Sequence, residues 1–509
     1  MDSMAEKYTE KRLEYMKRVA EDPMGPLPRP ERSYSYDVIV CGGGTSGVAA
    51  AIAAARGGAK TLLIERNGTL GGQMNVSGPP GFSYAYLYNA RGERVIDGFI
   101  GETHRRLMVD GHARPSDLNE YRSGADFVFS FVDPEWWGLL MFQMMAEEGV
   151  TLLLHTYVVD VIKNGNDVHG VVVENAEGRV YLEAKVVIEC TGEGDIAVRA
   201  GCEYELLSRE ESEPQSICFT MDGVDWDELL AYLKEHPDQL VPRGDPTRTP
   251  EERYELIRNV KDIGELGDML GFFDIMEVAK ANKEWHDFAG MGFFLAPRPD
   301  VGRFQAHFQH SAQVPNIWSC DPWDLSYAEQ ECRRQVVIAA KAFKKYVPGF
   351  KNAYITRVGH ELRLREGRRI MGDYVLKKSD VATSARFYDC IGKNTFAAGA
   401  VHVANNKTID ASKDGVATVP DRGTYDMPYR MLVPKKVENL LIAGKHVSAE
   451  RATYQRFLQE TMVTGQAAGA AAALCIKKGV TPRQLEAEEY IKELQDILRD
   501  QGVILEGVH

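Results

Sequence analysis

The sequence predicts an α/β fold in which one parallel sheet is assembled from two separated parts of the chain. The first observation is a strand, a glycine turn, a helix and a second strand within residues 37–66. The second is a run of short apolar strands over 150–189, which is typical of a β-meander. The third is the return of small-residue strand and helix patterns at 436–476. With 509 residues, the chain is long enough for two domains.

The stretch between these two parts differs from both. It is richer in tryptophan, phenylalanine, proline and charge, and its periodicity is weaker. We interpret it as an inserted α+β substrate domain. The predicted divisions are an N-terminal helix and arm (1–34), a discontinuous dinucleotide-binding domain (35–205 and 435–479), the inserted domain (206–434) and a C-terminal helix (480–509).

The unit over 37–66 predicts a Rossmann-like dinucleotide site. An apolar strand ends at Gly42-x-Gly44-x-x-Gly47, and an alanine-rich helix follows. In this pattern Gly42 makes the tight turn, Gly44 lets the backbone approach a pyrophosphate, and Gly47 lets the helix pack closely on the sheet. The helix N-terminus offers N–H groups to the pyrophosphate. Glu65 follows the second strand, where a carboxylate accepts hydrogen bonds from ribose hydroxyls.

The composition disfavours several functional classes. A formal net charge of −14 argues against nucleic acids and anionic membrane surfaces as partners. No uncharged run suits a membrane span, and the charged N-terminus has no apolar signal region. The eight cysteines include no C-x-x-C pair. We therefore expect a cytoplasmic protein without an iron–sulfur cluster or a metal site.

The other elements are predicted from periodicity, capping and turn residues. Helical periodicity over 5–21 ends at a proline-rich arm, which we expect to pack on the body or on a second subunit of a homo-oligomer. Asp133 before Pro134 predicts the N-cap of an apolar helix over 133–149. The remaining predicted elements are meander strands at 150–154, 157–162, 170–173 and 180–184, a strand at 185–189 with a glycine turn at 190–195, a helix from 196, a strand at 437–443, a helix at 461–475 and a charged surface helix at 480–500.

The chain resembles a known group of flavoproteins. The glycine pattern, continued through Ala51, Ala55 and Gly58 to Glu65, is similar to the FAD fingerprint of the glutathione-reductase-like flavoproteins. Further stretches resemble FAD-dependent oxidoreductases related to fumarate reductase flavoproteins, over roughly 35–205 and 355–476. These stretches are Leu70-Gly71-Gly72, Cys190-Thr191-Gly192-Glu193-Gly194-Asp195, Asn439-Leu440-Leu441-Ile442-Ala443-Gly444, Gly465-Gln466-Ala467-Ala468-Gly469 and Arg365-Glu366-x-Arg368-Arg369-Ile370-x-Gly372-x-Tyr374.

The resemblance implies which residues bind FAD. The first glycine turn and Glu65 would bind the pyrophosphate and the adenosine ribose, and Val159 would meet the adenine through its backbone. Gly465 and Gln466 would place a helix N-terminus at the pyrimidine end of the flavin, where a helix dipole stabilises negative charge. Asn67-Gly68-Thr69 contains no histidine for a covalent link, so we expect non-covalent FAD. The predicted cofactor residues are Gly42, Gly44, Thr45, Ser46, Gly47, Glu65, Arg66, Gly71, Gly72, Gln73, Val159, Thr191, Gly192, Asp195, Gly444, Gly465 and Gln466.

Arginines are the first candidates for contact with a substrate. Arg363, Arg365, Arg368 and Arg369 place four guanidinium groups within seven residues of an acidic chain. We predict a helix here, with Arg365 and Arg369 on one face, able to hold a substrate carboxylate in a bidentate grip. The alternative is that these arginines pair with neighbouring carboxylates or brace the FAD phosphates.

Further candidates lie near the predicted return to the flavin. His446 follows a strand end, where a general acid or base is commonly placed, and His402 is the second choice. The alternative is that each histidine is a hydrogen-bonded structural residue. Tyr454 and Arg456 precede the predicted flavin-end helix and are candidates for substrate contact or for simple packing.

These features predict a FAD-dependent dehydrogenase or reductase. It would move a hydride between a small organic substrate and flavin N5, by C–H oxidation or reduction of an activated C=C bond. The arginines favour a carboxylated substrate, and the electron acceptor is unknown. The alternatives are an isomerase or hydratase that uses FAD without net redox, a flavin monooxygenase, and a FAD-binding subunit that only passes electrons to a partner.

Overall fold

The computed structural model describes residues 9–77, 87–89, 91–113, 132–240, 249–266, 268–287, 289–298, 303–396, 398, 400–401, 410–411, 417–453 and 455–507. His402 and Tyr454, two of the predicted catalytic residues, lie outside these ranges.

The described chain mixes helices and strands throughout, as predicted. The helices are α1 Glu10–Glu21, α2 Thr45–Arg56, α3 Phe99–Val109, α4 Pro134–Glu147, α5 Asp195–Ala200, α6 Trp226–Glu235, α7 Pro250–Asn259, α8 Phe273–Ala281, α9 Pro322–Tyr346, α10 Lys378–Ala382, α11 Leu458–Lys478 and α12 Glu488–Asp500. The strands are β1 Ser35–Cys41, β2 Thr61–Ile64, β3 Thr151–Leu153, β4 Tyr157–Asn164, β5 Asp167–Asn175, β6 Gly178–Glu189, β7 Tyr204–Glu205, β8 Gln215–Ser216, β9 Phe219–Asp222, β10 Asp268–Gly271, β11 Met291–Arg298, β12 Arg303–Phe308, β13 Gln313–Val314, β14 Tyr354–Val358, β15 Arg369–Ile370, β16 Cys390–Asn394, β17 Ala400–Val401, β18 Asp410–Ala411, β19 Tyr425–Pro428 and β20 Leu440–Ile442.

A seven-stranded sheet confirms the predicted α/β fold. Strands β3, β2, β1 and β6 lie side by side in parallel, and β20 adds a parallel strand on the far side of β6. The meander strands β4 and β5 extend the sheet in antiparallel fashion. Strand β6 is one continuous strand where the sequence predicts two, because its first half pairs with β5 and its second half lies between β1 and β20.

Helices α2 and α11 join the first and last parts of the chain. A Cβ on Gly465 would lie 2.1 Å from the carbonyl oxygen of Ser46, and one on Gly469 would lie 2.0 Å from that of Ala50. The two helices therefore pack backbone against backbone, which only glycine permits at these positions. This contact, with the parallel pairing of β20, assembles the sheet from both ends of the chain.

A second sheet belongs to the inserted stretch. Its strands run in the order β10, β11, β12, β9 and β14, and all pairs are antiparallel. One face packs on α9 through an aromatic cluster, in which Phe219 and Phe308 stack at 4.3 Å and Phe308 meets Phe343 edge-on at 4.8 Å.

The buried residues divide between the two sheets. The apolar core of the antiparallel sheet runs from Ile217 to Leu362. Buried apolar residues between Ile370 and Val433 pack instead with the core of the seven-stranded sheet. This part of the predicted inserted domain therefore supports the first sheet.

The N-terminal helix packs on the body of the protein. Thr9 caps α1 and also donates a hydrogen bond to Glu148 Oε2 at the end of α4 (3.0 Å). Arg12 lies within 3.7 Å of carboxylate oxygens of Glu102, Glu147 and Glu148. Among the described residues, no helix is long and apolar enough to cross a membrane.

Candidate active site

The glycine turn after β1 has the geometry of a phosphate-binding loop. Gly42 has a φ of +107°, and a Cβ on Gly47 would lie 1.8 Å from the Gly42 carbonyl oxygen. A Cβ on Gly44, by contrast, would meet only Gly72 Cα, at 4.0 Å. The space beside Gly44 is therefore open, at a helix N-terminus whose backbone N–H groups bind anions.

The first residues of α2 connect this turn to the end of the chain. Thr45 and Ser46 are both buried. The hydroxyl oxygens of Thr45 and Thr461 lie 2.7 Å apart in a hydrogen bond. Because the Ser46 backbone also packs on Gly465, the predicted pyrophosphate site lies where the two parts of the sheet domain meet.

Glu65 is buried at the end of β2. Its Oε2 accepts a hydrogen bond from Gly43 N (2.6 Å), and its Oε1 accepts one from Asn67 N (2.8 Å). Burial raises the pKa of this carboxyl group. Each carboxylate oxygen has a further lone pair with which to accept from a ribose hydroxyl. Arg66, another of the predicted cofactor residues, forms an ion pair with Glu361.

A second pair of glycines lies directly against the first turn. Gly71 N donates to the Gly43 carbonyl oxygen (2.8 Å), and Gly71 and Gly72 both have positive φ, +108° and +51°. A Cβ on Gly72 would lie 2.9 Å from Gly44 Cα. These glycines therefore let two backbone segments pass side by side along the open space.

Gln73 links the glycine turns to the arginine segment. Its Nε2 donates to the Leu362 carbonyl oxygen (3.3 Å), and its Oε1 accepts from Leu364 N (3.0 Å). The side chain of Gln73 thus connects the glycine turns with residues 362–364. The cofactor contact predicted for Gln73 would have to be made by its backbone.

The turn after β6 is organised by a buried carboxylate. Glu189 Oε1 accepts from the backbone N and the hydroxyl of Thr191 (2.6 Å each), and Oε2 accepts from Ile196 N (2.7 Å). Burial raises the pKa of Glu189 to about 7. Gly192 has a φ of +92°, and a Cβ there would meet only Lys445 Cε, at 4.0 Å. The Gly192 side of this turn is therefore open.

His446 is fully buried beside this carboxylate. Its Nε2 lies 3.6 Å from Glu189 Oε1, and its exposed fraction is 0%. Burial, together with the charge of Lys445, lowers the pKa of His446 to about 3. The imidazole is therefore neutral at physiological pH, which argues against a general-acid role. Gly444, two residues before His446, donates its N–H to Thr464 Oγ1 (3.1 Å).

The predicted helix N-terminus at Gly465 is wrong. Helix α11 begins at Leu458, so Gly465 lies inside the helix and packs on α2. Gln466 Oε1 accepts from Phe99 N (2.9 Å) at the start of α3. The prediction was misplaced because the alanine-rich pattern starts after Gly465, whereas the mixed residues 458–464 already form the first two turns.

Val159 lies in a β-bulge of β4. The contact between this region and the end of β2 comes from Thr156, whose N–H donates to the Glu65 carbonyl oxygen (3.1 Å). The contact of Val159 with adenine stays a prediction.

The arginine segment is extended, and the predicted helix is wrong. Residues 361–368 contain no helical turn, and Arg363 pairs in antiparallel fashion with Ser216. Residues two apart on an extended chain share a face, so Arg363 and Arg365 lie together. The backbone groups that a helix would use are taken by Gln73 and by Ser216.

The last two arginines of the segment are paired with acids. Arg368 donates to Asp195 Oδ1 (2.8 Å), which places that predicted cofactor residue in an ion pair. Arg369 lies 3.3 Å from Glu205 and 3.5 Å from Glu366. Arg368 and Arg369 therefore pair with neighbouring carboxylates, which was the alternative to substrate binding.

Arg365 is bound by neutral groups. It is 2% exposed. Its Nη1 donates to the Pro214 carbonyl oxygen (2.9 Å) and to Ser216 Oγ (2.8 Å), and its Nη2 donates to the Gln309 carbonyl oxygen (3.3 Å). Its Nε has no hydrogen-bond partner among the described residues.

Three guanidinium groups of this region have different partners. Arg363 donates to Gln309 Oε1, and Arg456 lies 3.3 Å from Glu213 Oε2. Burial, together with the charges of Arg363 and Arg456, lowers the pKa of Arg365 to about 9. We call Arg363, Arg365 and Arg456 the arginine cluster.

Sequence reasoning missed the strand that completes this site. His307 on β12 is fully buried and lies opposite Thr220 on β9, which in turn lies opposite Arg357 on β14. Arg357 Nη2 donates to the Asn75 carbonyl oxygen (2.5 Å), so this row of the antiparallel sheet faces the segment after the glycine turns. No spacing in the sequence indicates the juxtaposition, because β12 alternates polar and apolar residues like an ordinary half-buried strand.

The observed residues fit FAD. Gly44 and Gly192 are positions where a Cβ would meet little, Gly44 lies at the N-terminus of α2, and Glu65 hydrogen-bonds the neighbouring Gly43. Anion-binding N–H groups and a ribose-binding carboxylate are the donor and acceptor set that the dinucleotide requires. No group of His, Cys, Asp and Glu within the described part of the chain is arranged to hold a metal ion.

Comparison with known proteins shows the family of the chain. A family model described as FAD dependent oxidoreductase matches residues 37–498. FixC from Salmonella typhi is 35% identical over 168 residues, which are 31% of this chain and 36% of FixC. Digeranylgeranylglycerophospholipid reductase from Picrophilus torridus is 27% identical over 224 residues, 43% of this chain and 55% of that reductase. The chain thus aligns with about a third to a half of the length of these relatives.

Two solved structures are also similar. A geranylgeranyl bacteriochlorophyll reductase-like protein from Thermoplasma acidophilum has a TM-score of 0.41 at 14% identity, covering 92% of this chain and 84% of that one. The flavin-dependent brominase Bmp2 has a TM-score of 0.43 at 13% identity, covering 91% and 84%. Because the family model spans most of the chain, this protein belongs to the FAD dependent oxidoreductase family, and the predicted cofactor, FAD, is confirmed.

Proposed function

We propose that this enzyme is a dehydrogenase or reductase that acts on a small organic carboxylate. FAD, when bound, supplies hydride acceptance or donation at flavin N5. The substrate would be oxidised at a C–H bond or reduced at an activated C=C bond. The protein's own residues would bind the carboxylate, orient the reacting carbon and exclude water.

The observation that carries this proposal is the charge balance of the arginine cluster. Within the described residues, Arg363 and Arg365 donate to neutral oxygens of Gln309, Pro214 and Ser216. Buried guanidinium groups are costly unless an anion compensates them. Arg363 and Arg365 also lie on one face of an extended strand, so a planar carboxylate is able to bridge them. A substrate carboxylate would therefore supply the missing charge.

The cluster is also connected to the predicted flavin site. Gln73 lies directly after Gly72 and hydrogen-bonds both Leu362 and Leu364, the residues on either side of Arg363. A carboxylate bound at Arg363 would thus be held at a fixed distance from the backbone that lines the cofactor space. This connection favours a substrate site over a remote anion site.

Binding to the oxidised enzyme tests the proposal. Purified protein with FAD is titrated anaerobically with small carboxylates while the flavin absorption band is followed, first in the wild type and then in Arg363→Met and Arg365→Met. We expect carboxylates that perturb or bleach the band, and a dissociation constant weakened about 10- to 100-fold in each variant, because each loses charged hydrogen bonds. FAD content serves as the readout of intact folding.

The matched control is Arg334→Met. Arg334 is an exposed arginine of α9 whose ion pair is with Glu331. Carboxylate binding should be unchanged in this variant. Carboxylates that bind equally well to Arg363→Met, Arg365→Met and the wild type would contradict the proposal. Turnover that requires oxygen and a nicotinamide cofactor in stoichiometric amounts would instead indicate a monooxygenase.

A further inference from the structure

The imidazole ring of His307 is buried and forms no hydrogen bond with the described residues. Its exposed fraction is 0%, and neither ring nitrogen has a hydrogen-bond partner among the described residues. A buried polar group without a partner is destabilising, so it needs an explanation such as a bound ligand. Burial, together with the charge of Arg363, lowers the pKa of His307 to about 3. The ring is therefore neutral, with one donor and one acceptor.

The imidazole lies on the face of the antiparallel sheet that is opposite the aromatic core. Phe308, the next residue, points into the aromatic core and stacks on Phe219. Because side chains alternate along a strand, His307 points to the opposite face. That face carries Arg357, which reaches the carbonyl oxygen of Asn75.

Gln309, beside the arginine cluster, carries a second group without a partner among the described residues, its side-chain amide nitrogen. It is 1% exposed, and its Oε1 accepts from Arg363 while its backbone carbonyl accepts from Arg365. Its Nε2 has no hydrogen-bond partner in the described part of the chain. This donor belongs to the amide that already contacts Arg363, so a ligand atom bound there lies close to an anion bound by the cluster.

We propose that His307 and Gln309 bind an uncharged oxygen, a hydroxyl or carbonyl group, on the same substrate whose carboxylate is held by the arginine cluster. The inference rests on the carboxylate site proposed above and names the substrate class as hydroxy- or oxo-carboxylates. A neutral imidazole and an amide N–H match such an oxygen in charge. A hydrocarbon at the same position would leave both buried groups without partners, and sites of this kind reject such analogues.

Matched ligands separate this inference from the proposed function. The probes are propionate, lactate and pyruvate, together with succinate, malate and oxaloacetate, titrated into the oxidised enzyme and followed by the flavin spectrum. In the wild type we expect the oxygen-bearing member of each set to bind about 10-fold or more tightly than the plain member, from one or two hydrogen bonds. In His307→Phe the preference should fall to about 2-fold or less, with binding of the plain member retained.

Two further variants distinguish ligand recognition from folding. His307→Asn keeps a donor and an acceptor and should retain part of the preference, with FAD content as the measure of folding. His286→Phe replaces a half-buried histidine of the inserted domain, one that contacts the Ser311 carbonyl oxygen, and should keep the full preference. Equal binding of plain and oxygen-bearing carboxylates by the wild type would overturn the inference and leave the proposed function standing. A wild-type enzyme that binds none of the probes would overturn both.

Discussion

At the scale of single residues, buried charge explains how the N-terminal half of the molecule is held. Glu102 on α3 pairs with Arg56 on α2 (2.8 Å) and with Arg106 (2.8 Å), and Arg12 of α1 approaches it at 3.7 Å. Burial alone would raise the pKa of Glu102, but the surrounding guanidinium groups outweigh burial and lower it to about 2. One carboxylate therefore ties three helices together.

Replacement of Glu102 by Gln should destabilise the protein by about 3 kcal/mol at pH 7, because buried guanidinium groups lose their partner. The folded pKa of about 2 lies below the unfolded value of 4.5, so this contribution is present above pH 4.5 and is lost as the pH falls from 4.5 to 2. Urea unfolding of wild type and variant at several pH values measures it, and the difference should shrink towards the acid end.

The control for this prediction is Glu488→Gln. Glu488 and Lys492 form an exposed ion pair on α12, with side chains 69% exposed each. The unfolding midpoint of this variant should match that of the wild type at every pH. A Glu102→Gln variant that also matches the wild type would show that the ion-pair network adds nothing to stability.

At the scale of elements, hydrogen bonds to the backbone determined the conformation of the arginine segment, which the spacing of its side chains did not predict. The spacing of Arg365 and Arg369 suits a helix, yet this segment is extended because Gln73 and Ser216 pair with its backbone. Those partners come from distant parts of the chain, so no local pattern contains them. The alanine-rich pattern was sufficient to predict α2 as a helix, whereas its backbone packing on α11 is seen only in the structure.

Gly465→Ala should test that packing. The added Cβ would lie 2.1 Å from the Ser46 carbonyl oxygen, and a backbone atom cannot move aside without shifting the helix. We expect a loss of about 1–3 kcal/mol in stability and a weaker affinity for FAD, because α2 begins at the cofactor turn. Thermal unfolding and FAD titration measure the two effects.

Lys477→Ala, at an exposed position of the same helix, is the matched control, and both quantities should stay at wild-type values. Wild-type stability and FAD affinity in Gly465→Ala would mean that the two helices have room to separate.

At the scale of the whole molecule, the candidate active site lies where the two sheets meet. The glycine turns belong to the seven-stranded sheet, whereas His307 and Gln309 belong to the inserted stretch, and the arginine segment runs between them. A ligand that binds only the folded protein stabilises it by mass action. FAD should therefore stabilise the sheet domain that surrounds its site.

Removal of FAD should lower the thermal midpoint, and added FAD should restore it. Each tenfold increase in free FAD above its dissociation constant should add about 1.4 kcal/mol of stability. Gly44→Ala should keep the midpoint of the FAD-free wild type, since the added Cβ has room and the backbone φ of −71° suits any residue. It should no longer respond to FAD, because the Cβ occupies the open side of the turn.

The FAD-free and FAD-loaded wild type, scanned by calorimetry beside Gly44→Ala, provide the comparison. A full FAD response in the variant would show that the cofactor does not lie against this glycine.

The sequence by itself determined the fold class and the FAD-dependent family. The glycine pattern, the acid after β2 and the strand and helix near the C-terminus each depend on residues close together in the chain, so local patterns indicated the parallel sheet and the dinucleotide turn. Only the tertiary structure decided which groups surround the candidate arginines. The arginine cluster, Glu213, His307 and Gln309 come together from four separate segments, and the burial that makes them costly, and therefore informative, exists only after the two sheets have packed.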